Sequence, residues 1–126
     1  MIAHVSVPVK DYKKAKKLYK AMLGAVGYEM TQDHPEWKAG GFREGGHTSF
    51  WIVQKEKMEP IHVAIIAPSK KAVYEFHERA LEAGATDNGA PGFRTEYSPD
   101  YFAAFILDED GNNIESCFFD EKAPPK

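Results

Sequence analysis

Two histidines set in matching strand-like segments, and a glutamate near the C-terminus, are the residues of this chain best suited to chemistry. His4 lies in Ile2-Ala3-His4-Val5-Ser6-Val7 and His62 in Pro60-Ile61-His62-Val63-Ala64-Ile65, an offset of 58. With Glu115 they offer two imidazoles and one carboxylate from three separate strands, a sensible first set of ligands for a divalent metal that keeps positions open for water or substrate. Zinc, iron, nickel, cobalt and manganese all accept such a set, so residue type does not choose among them. Taken singly, each histidine reads more readily as a hydrogen-bonded strand residue, and Glu115 as a solvated one, than as a metal ligand. The repeat shifts that balance, because quasi-symmetric modules can bring equivalent strand positions to one axis.

The same offset governs the elements that must position these side chains. It carries a helix cap from Asp11 to Ser69, and an apolar stripe from Ala15, Leu18, Tyr19, Met22, Leu23 to Val73, Phe76, His77, Ala80, Leu81. Both stripes are spaced i, i+3, i+4, i+7, i+8, the period of a helix with one buried face. Strands are expected at Ile2–Val7, Tyr28–Thr31, Trp37–Phe42, Thr48–Gln54, from Ile61, at Tyr101–Leu107 and at Asn113–Phe119, with helices over Tyr12–Leu23 and Lys70–Ala83. Gly89–Gly92, with Ala90-Pro91, reads as a loop, and Asp108–Asn112 as a hairpin turn. The first half is then strand, helix and three strands, and the second is expected to repeat that plan, with two of its three closing strands explicit in the pattern. In each opening strand the odd positions are apolar, so they should face the helix and leave His4 and His62 on the opposite face of the sheet. Alternation in the last strand groups Glu115 with Asn113 and Cys117.

The bulk properties narrow the classes of function. The chain has 126 residues, 43% hydrophobic and 28% charged, as expected of a globular protein with a real core. A net charge of −3 gives no broad positive field for phosphate backbones, which argues against nucleic-acid binding. The single Cys117 precludes an intrachain disulfide and suggests a reducing compartment. No apolar run near the N-terminus is long enough for a membrane span, and the expected location is cytoplasmic. One domain is expected over residues 1–120, with modules at about 1–55 and 60–119, and a flexible charged, proline-rich tail at 121–126.

The doubled βαβββ plan, together with Ile61-His62-Val63-Ala64, Asp87-Asn88-Gly89-Ala90-Pro91-Gly92-Phe93-Arg94 and Asp108-Glu109-Asp110-Gly111-Asn112-Asn113-Ile114-Glu115, resembles the vicinal oxygen chelate superfamily of glyoxalases, bleomycin-resistance proteins and extradiol dioxygenases. The resemblance implies an α+β fold of two βαβββ modules forming a curved mixed sheet. It also implies a metal held by His4, His62 and Glu115, chelation of neighbouring substrate oxygens, and a homodimer. The fourth ligand of glyoxalase I falls on Trp51, whose indole cannot coordinate an ion, so lactoylglutathione lyase activity is not expected. Arg94 is a candidate clamp for an anionic substrate group, and Trp51, Tyr97, Tyr101 and Phe102 are candidate walls of the cleft.

Other signals are weaker. His77 falls in the helix stripe and should pack on the sheet; His34 and His47 lie in or beside turns. Lys13, Lys14, Lys16, Lys17 and Lys20 read as a solvated helix face. Two functions compete: a metal-dependent lyase, isomerase or dioxygenase acting on a small oxygenated substrate, and a metal-free module that encloses a flat ligand among aromatics.

Overall fold

The computed structural model describes residues 2–121, so nearly all of the expected tail lies outside the described residues. Module 1 contains β1 (Val5–Val9), α1 (Tyr12–Gly24), β2 (Glu29–His34), β3 (Ala39–Arg43) and β4 (Thr48–Gln54). Module 2 contains β5 (His62–Ile66), α2 (Lys70–Glu82), β6 (Thr86–Phe93), β7 (Tyr101–Leu107) and β8 (Asn113–Phe119). The sheets run β1-β4-β3-β2 and β5-β8-β7-β6. In each, the first strand pairs parallel to the last and the remaining pairs are antiparallel. This is the expected α+β architecture of two βαβββ modules. The two sheets are not hydrogen-bonded to one another, so β1 and β5 are both edge strands.

Local chemistry explains the helices. The Asp11 carboxylate accepts from the Lys14 backbone N–H at 3.1 Å, and the Ser69 hydroxyl from the Ala72 N–H at 3.0 Å, each cap contributing about 1 kcal/mol. Gly84, at φ +106°, follows the end of α2 in a conformation a side chain would strain. The stripes face inward except at the end of α2: Tyr19, Met22 and Leu23 of α1 and Val73, Phe76 and Ala80 of α2 are fully buried, whereas Leu81, expected in the stripe, is 38% exposed. The buried side chains join Phe42, Phe50, Ile52, Ile106 and Ile114 in one apolar cluster that crosses both modules, with α1 packed on α2. At about 1.5–3 kcal/mol for each large side chain removed from water, this cluster is the main source of stability.

Three expected boundaries need correction. The first strand begins at Val5 rather than Ile2 and continues through Pro8, which an edge strand tolerates because no neighbour needs its missing N–H. Trp37 sits in a turn, and β3 starts only at Ala39 after Lys38 at φ +53°. The stretch expected as a loop around Ala90-Pro91 belongs to β6. Its pairing with β7 shifts register twice, between Asp87 and Gly89 and between Gly89 and Gly92, which accommodates Pro91 at the sheet edge.

The acidic turn does more than reverse the chain. The Asp108 carboxylate, 6% exposed, accepts from the Tyr19 hydroxyl at 2.7 Å, the Asn112 side-chain amide at 2.8 Å and the backbone N–H groups of Asp110 and Asn112. The Asn112 amide also donates to the Pro8 carbonyl at 2.7 Å, and its oxygen accepts from the Ile61 N–H at 3.0 Å. One buried turn thus ties α1, β1 and β5 together. Burial and the Asp108 carboxylate together hold the Tyr19 phenol well above its ordinary pKa, so it stays a donor.

Candidate functional site

Side chains on the face of module 2 away from α2 follow from register. His62 pairs with Asn113, Ala64 with Glu115, and Glu115 in turn with Phe105, while Tyr101 pairs with Phe119. Phe102, Ala104 and Ile106 alternate to the other side and join the core. Across the helix-free face the order is therefore His62 on β5, Glu115 on β8, Phe105 on β7, and Arg94 at the end of β6.

Glu115 is the hub. Its side chain is 4% exposed, with one oxygen 3.1 Å from His62 Nε2. The other accepts a hydrogen bond from the Tyr101 hydroxyl. His62 is half exposed, and its Nδ1 lies 3.1 Å from the Asn113 carbonyl oxygen. A carbonyl can only accept, so that hydrogen bond requires the proton on Nδ1. Nε2 of the neutral ring then turns its lone pair toward a carboxylate oxygen, and a proton or a metal ion has to lie between them. Two ligands of one ion at about 2.1 Å and near right angles are about 3 Å apart, so the pair fits adjacent coordination positions. The Nδ1–H to carbonyl bond is also the usual outer support of a ligating histidine.

His4 lies outside β1, exposed, in a groove of about 780 Å³ that it lines together with His62, Val63, Phe50 and Ile2. His47 Nε2 sits 2.7 Å from the Ala3 carbonyl and so holds the neighbouring residue. Among the described residues, no three His, Cys, Asp or Glu side chains converge closely enough to hold a metal ion. His62 and Glu115 are thus brought together, and His4 shares a groove with His62 that Glu115 does not line, without closing on the pair.

The expected cleft walls divide. Tyr101 touches Glu115 and stacks edge-on against Tyr97 and Phe119, with ring centroids 5.2 and 5.3 Å apart. Burial, followed by the hydrogen bond to Glu115, raises the Tyr101 phenol, which therefore remains a donor. Phe102 does not line the cleft: it is 4% exposed in the core, against Tyr74 and Phe93, because period-two alternation turns it away from Tyr101. Trp51 lies on the corresponding face of module 1, in a parallel stack with His34 that extends to Trp37. Phe105 was not among the candidates, yet it stacks on His62 at 6.2 Å and lies under Arg94 at 5.3 Å. The signal was available, since Tyr101, Ala103 and Phe105 share one face of a strand.

The remaining polar groups are spent elsewhere. His77 Nε2 bonds Asp87 at 2.8 Å and ties α2 to β6. Cys117 is buried beside Glu115; burial raises its thiol and outweighs the hydrogen bond with Tyr101, which disfavours the thiolate. A second hollow of about 690 Å³, between α1, the end of α2 and the acidic turn, has Lys14 paired with Glu109 and Asp108 committed to the turn.

The sequence model of the Glyoxalase/Bleomycin resistance protein/Dioxygenase superfamily matches residues 1–116. The chain belongs to this superfamily. A glyoxalase/bleomycin resistance protein from Albidiferax ferrireducens T118 superposes with a TM-score of 0.79 at 26% identity, covering 92% of this chain and 97% of its own. A family enzyme from Burkholderia phytofirmans PsJN has a TM-score of 0.72 at 17% identity, covering 94% of this chain and 98% of its own. A glyoxalase-related enzyme from Fulvimarina pelagi has a TM-score of 0.71 at 14% identity, covering 94% and 87%. The last two show the shared fold alone. No curated protein matches this sequence. Members of the superfamily bind small molecules, and no described helix of this chain is long and apolar enough to cross a membrane.

Proposed function

We propose that this superfamily member is a metal-dependent enzyme whose ion is held by His62, Glu115 and His4, and whose substrate is a small molecule with two neighbouring oxygens. The observation that carries the reading is the 3.1 Å approach of His62 Nε2 to Glu115, with Nδ1 engaged by the Asn113 carbonyl and the second carboxylate oxygen by Tyr101. A divalent ion bound there would supply Lewis-acid stabilisation of developing negative charge on a substrate oxygen, in a lyase, isomerase or dioxygenase reaction. The chain's own part is orientation. Asn113 fixes the imidazole tautomer, Tyr101 fixes the carboxylate, and Arg94, Trp51, Tyr97 and Phe105 bound the space around them.

His4 has to be brought to the pair, and a homodimer is part of this reading: β1 and β5 are both free edges, and a second chain can present its own His4. Metal analysis of untagged protein tests the core of the reading. About one ion per chain is expected in the wild type, with loss in Glu115→Ala and His62→Ala; equal content in all three defeats it. Mixing equal amounts of His4→Ala and Glu115→Ala chains restores one of the two sites in each mixed dimer, about a quarter of all sites on random assortment, if each site is shared between chains, and none if it lies within one. Ligand binding that survives a chelator, with no turnover, would instead support the metal-free binding module.

A further inference from the structure

Arg94 is a built feature. One terminal nitrogen of its guanidinium donates to the Gly92 carbonyl at 2.9 Å and the other to the Ala90 carbonyl at 2.8 Å, folding the side chain back along its own strand. Its plane lies over Phe105, with the central carbon 5.3 Å from the ring centroid. Two glycines clear the space. A Cβ at Gly89 would come within 3.0 Å of one terminal nitrogen and of the Phe105 ring, and a Cβ at Gly92 within 3.3 Å of the other nitrogen. Gly89 also holds φ at +150°, which disfavours any side chain there.

The charge so held has no counter-ion: no carboxylate among the described residues pairs with Arg94. Two carbonyls use two of its five N–H groups, and the other three remain to bind a ligand. A guanidinium fixed in advance loses little freedom when it binds a planar anion, and its fork matches a carboxylate or phosphate. Strand order sets the spacing, because His62 meets Phe105 from the β8 side and Arg94 from the β6 side. An anion on Arg94 is therefore separated from the His62–Glu115 pair by one aromatic ring.

We infer that the substrate is an anion, carrying a carboxylate or phosphate bound by Arg94, joined through a short segment that crosses the outer edge of the half-buried Phe105 ring to the oxygens recognised at His62 and Glu115. This deepens the proposed function and rests on it for the second end of the substrate, but the anion subsite can be tested separately. A suitable probe is 4-carboxybenzohydroxamate, with two neighbouring oxygens at one end of a ring and a carboxylate at the other, compared by calorimetry with its neutral 4-carbamoyl analogue. Zinc-loaded wild type should prefer the carboxylate by about tenfold or more, and added salt should shrink the preference.

Arg94→Gln should bring the two probes to parity by weakening only the carboxylate, and Arg94→Lys should give an intermediate ratio. An unchanged ratio in Arg94→Gln, an equal loss for both probes, or no binding of the carboxylate probe at millimolar concentration overturns the inference. If the preference depends on Arg94 but is indifferent to chelator and to Glu115→Gln, the anion subsite stands and the metal reading falls.

Discussion

Trp51 and Glu115 occupy the same place in their two sheets. Trp51 pairs with Ser6 on one side and Gly41 on the other, as Glu115 pairs with Ala64 and Phe105. In module 1 a large indole lies over a glycine, where a Cβ would meet Trp51 at 3.0 Å. In module 2 a carboxylate lies beside a large phenyl ring. The large residue lies on the last strand in module 1 and on its neighbour in module 2, where the last strand carries the charge instead. The repeated plan gives two like scaffolds, and the candidate ligands His62 and Glu115 both lie on one of them.

The hairpin turns differ in the same way. The β7–β8 turn buries Asp108 and Asn112 and ties the modules together, whereas the β3–β4 turn is exposed, with nothing within 4 Å of a Cβ at Gly45 or Gly46. Module 2 therefore carries two of the three candidate ligands, His62 and Glu115, as well as the lock between the halves.

The sharpest way to break this comparison is to exchange roles at the paired positions. Glu115→Ala should weaken metal binding by more than about 100-fold, since even outer supports of a ligand are worth 10–100-fold, while Trp51→Phe leaves metal content unchanged. Equal losses would mean that both faces, and not only that of module 2, support the site. Next in size is the lock. Asn112→Ala leaves the Pro8 carbonyl and Ile61 N–H without their partner and should cost about 3 kcal/mol in urea unfolding, against about 0.5 kcal/mol or less for Gly46→Ala. A similar cost at both turns would mean that the β7–β8 turn is no more of a lock than the β3–β4 turn.

A smaller effect sharpens the contrast at Trp51. Gly41→Ala places a Cβ 2.6 Å from the Thr48 methyl and 3.0 Å from the indole, so about 1–3 kcal/mol of overpacking and a shift in Trp51 fluorescence are expected. Smallest is an effect the modules share, because each outer strand holds one aspartate with a lowered pKa. Asp33 is lowered first by the hydrogen bond from Tyr12 and then by that from Lys16; Asp87 is lowered first by the Gly89 N–H and then by His77. A lowered folded value means that the stabilisation is complete above the ordinary 3.8 and is lost as pH falls through the folded pKa. The stability gap between wild type and Asp33→Asn should therefore narrow on acidification below about pH 4. A gap that widens there would reverse the sign assigned to this pair.

How much of this was legible before folding differs from residue to residue. Tyr101 and Phe102 were both candidate walls, yet neighbours in a strand point to opposite faces, so alternation already excluded one of them and pointed to Phe105 instead. Arg94 was a candidate clamp by type alone. Its bracing by Ala90 and Gly92 depends on two register shifts in β6, which the Ala90-Pro91 pair had disguised as a loop. The acidic turn was read as a turn, and its side chains gave no sign that they would be buried across a module boundary.

The sequence by itself determined the duplication, the two capped helices, most of their buried stripes, and which residues share a face with His62 and with Glu115 within their own strands, because each of these is a periodicity within a short window of chain. Only the tertiary structure decided that Glu115 would meet His62 and Tyr101, that Phe105 would separate them from Arg94, and that Asp108 and Asn112 would bind the halves together. Those contacts depend on which strands become neighbours and in what register, a choice made by the packing of the whole core and written in no single segment.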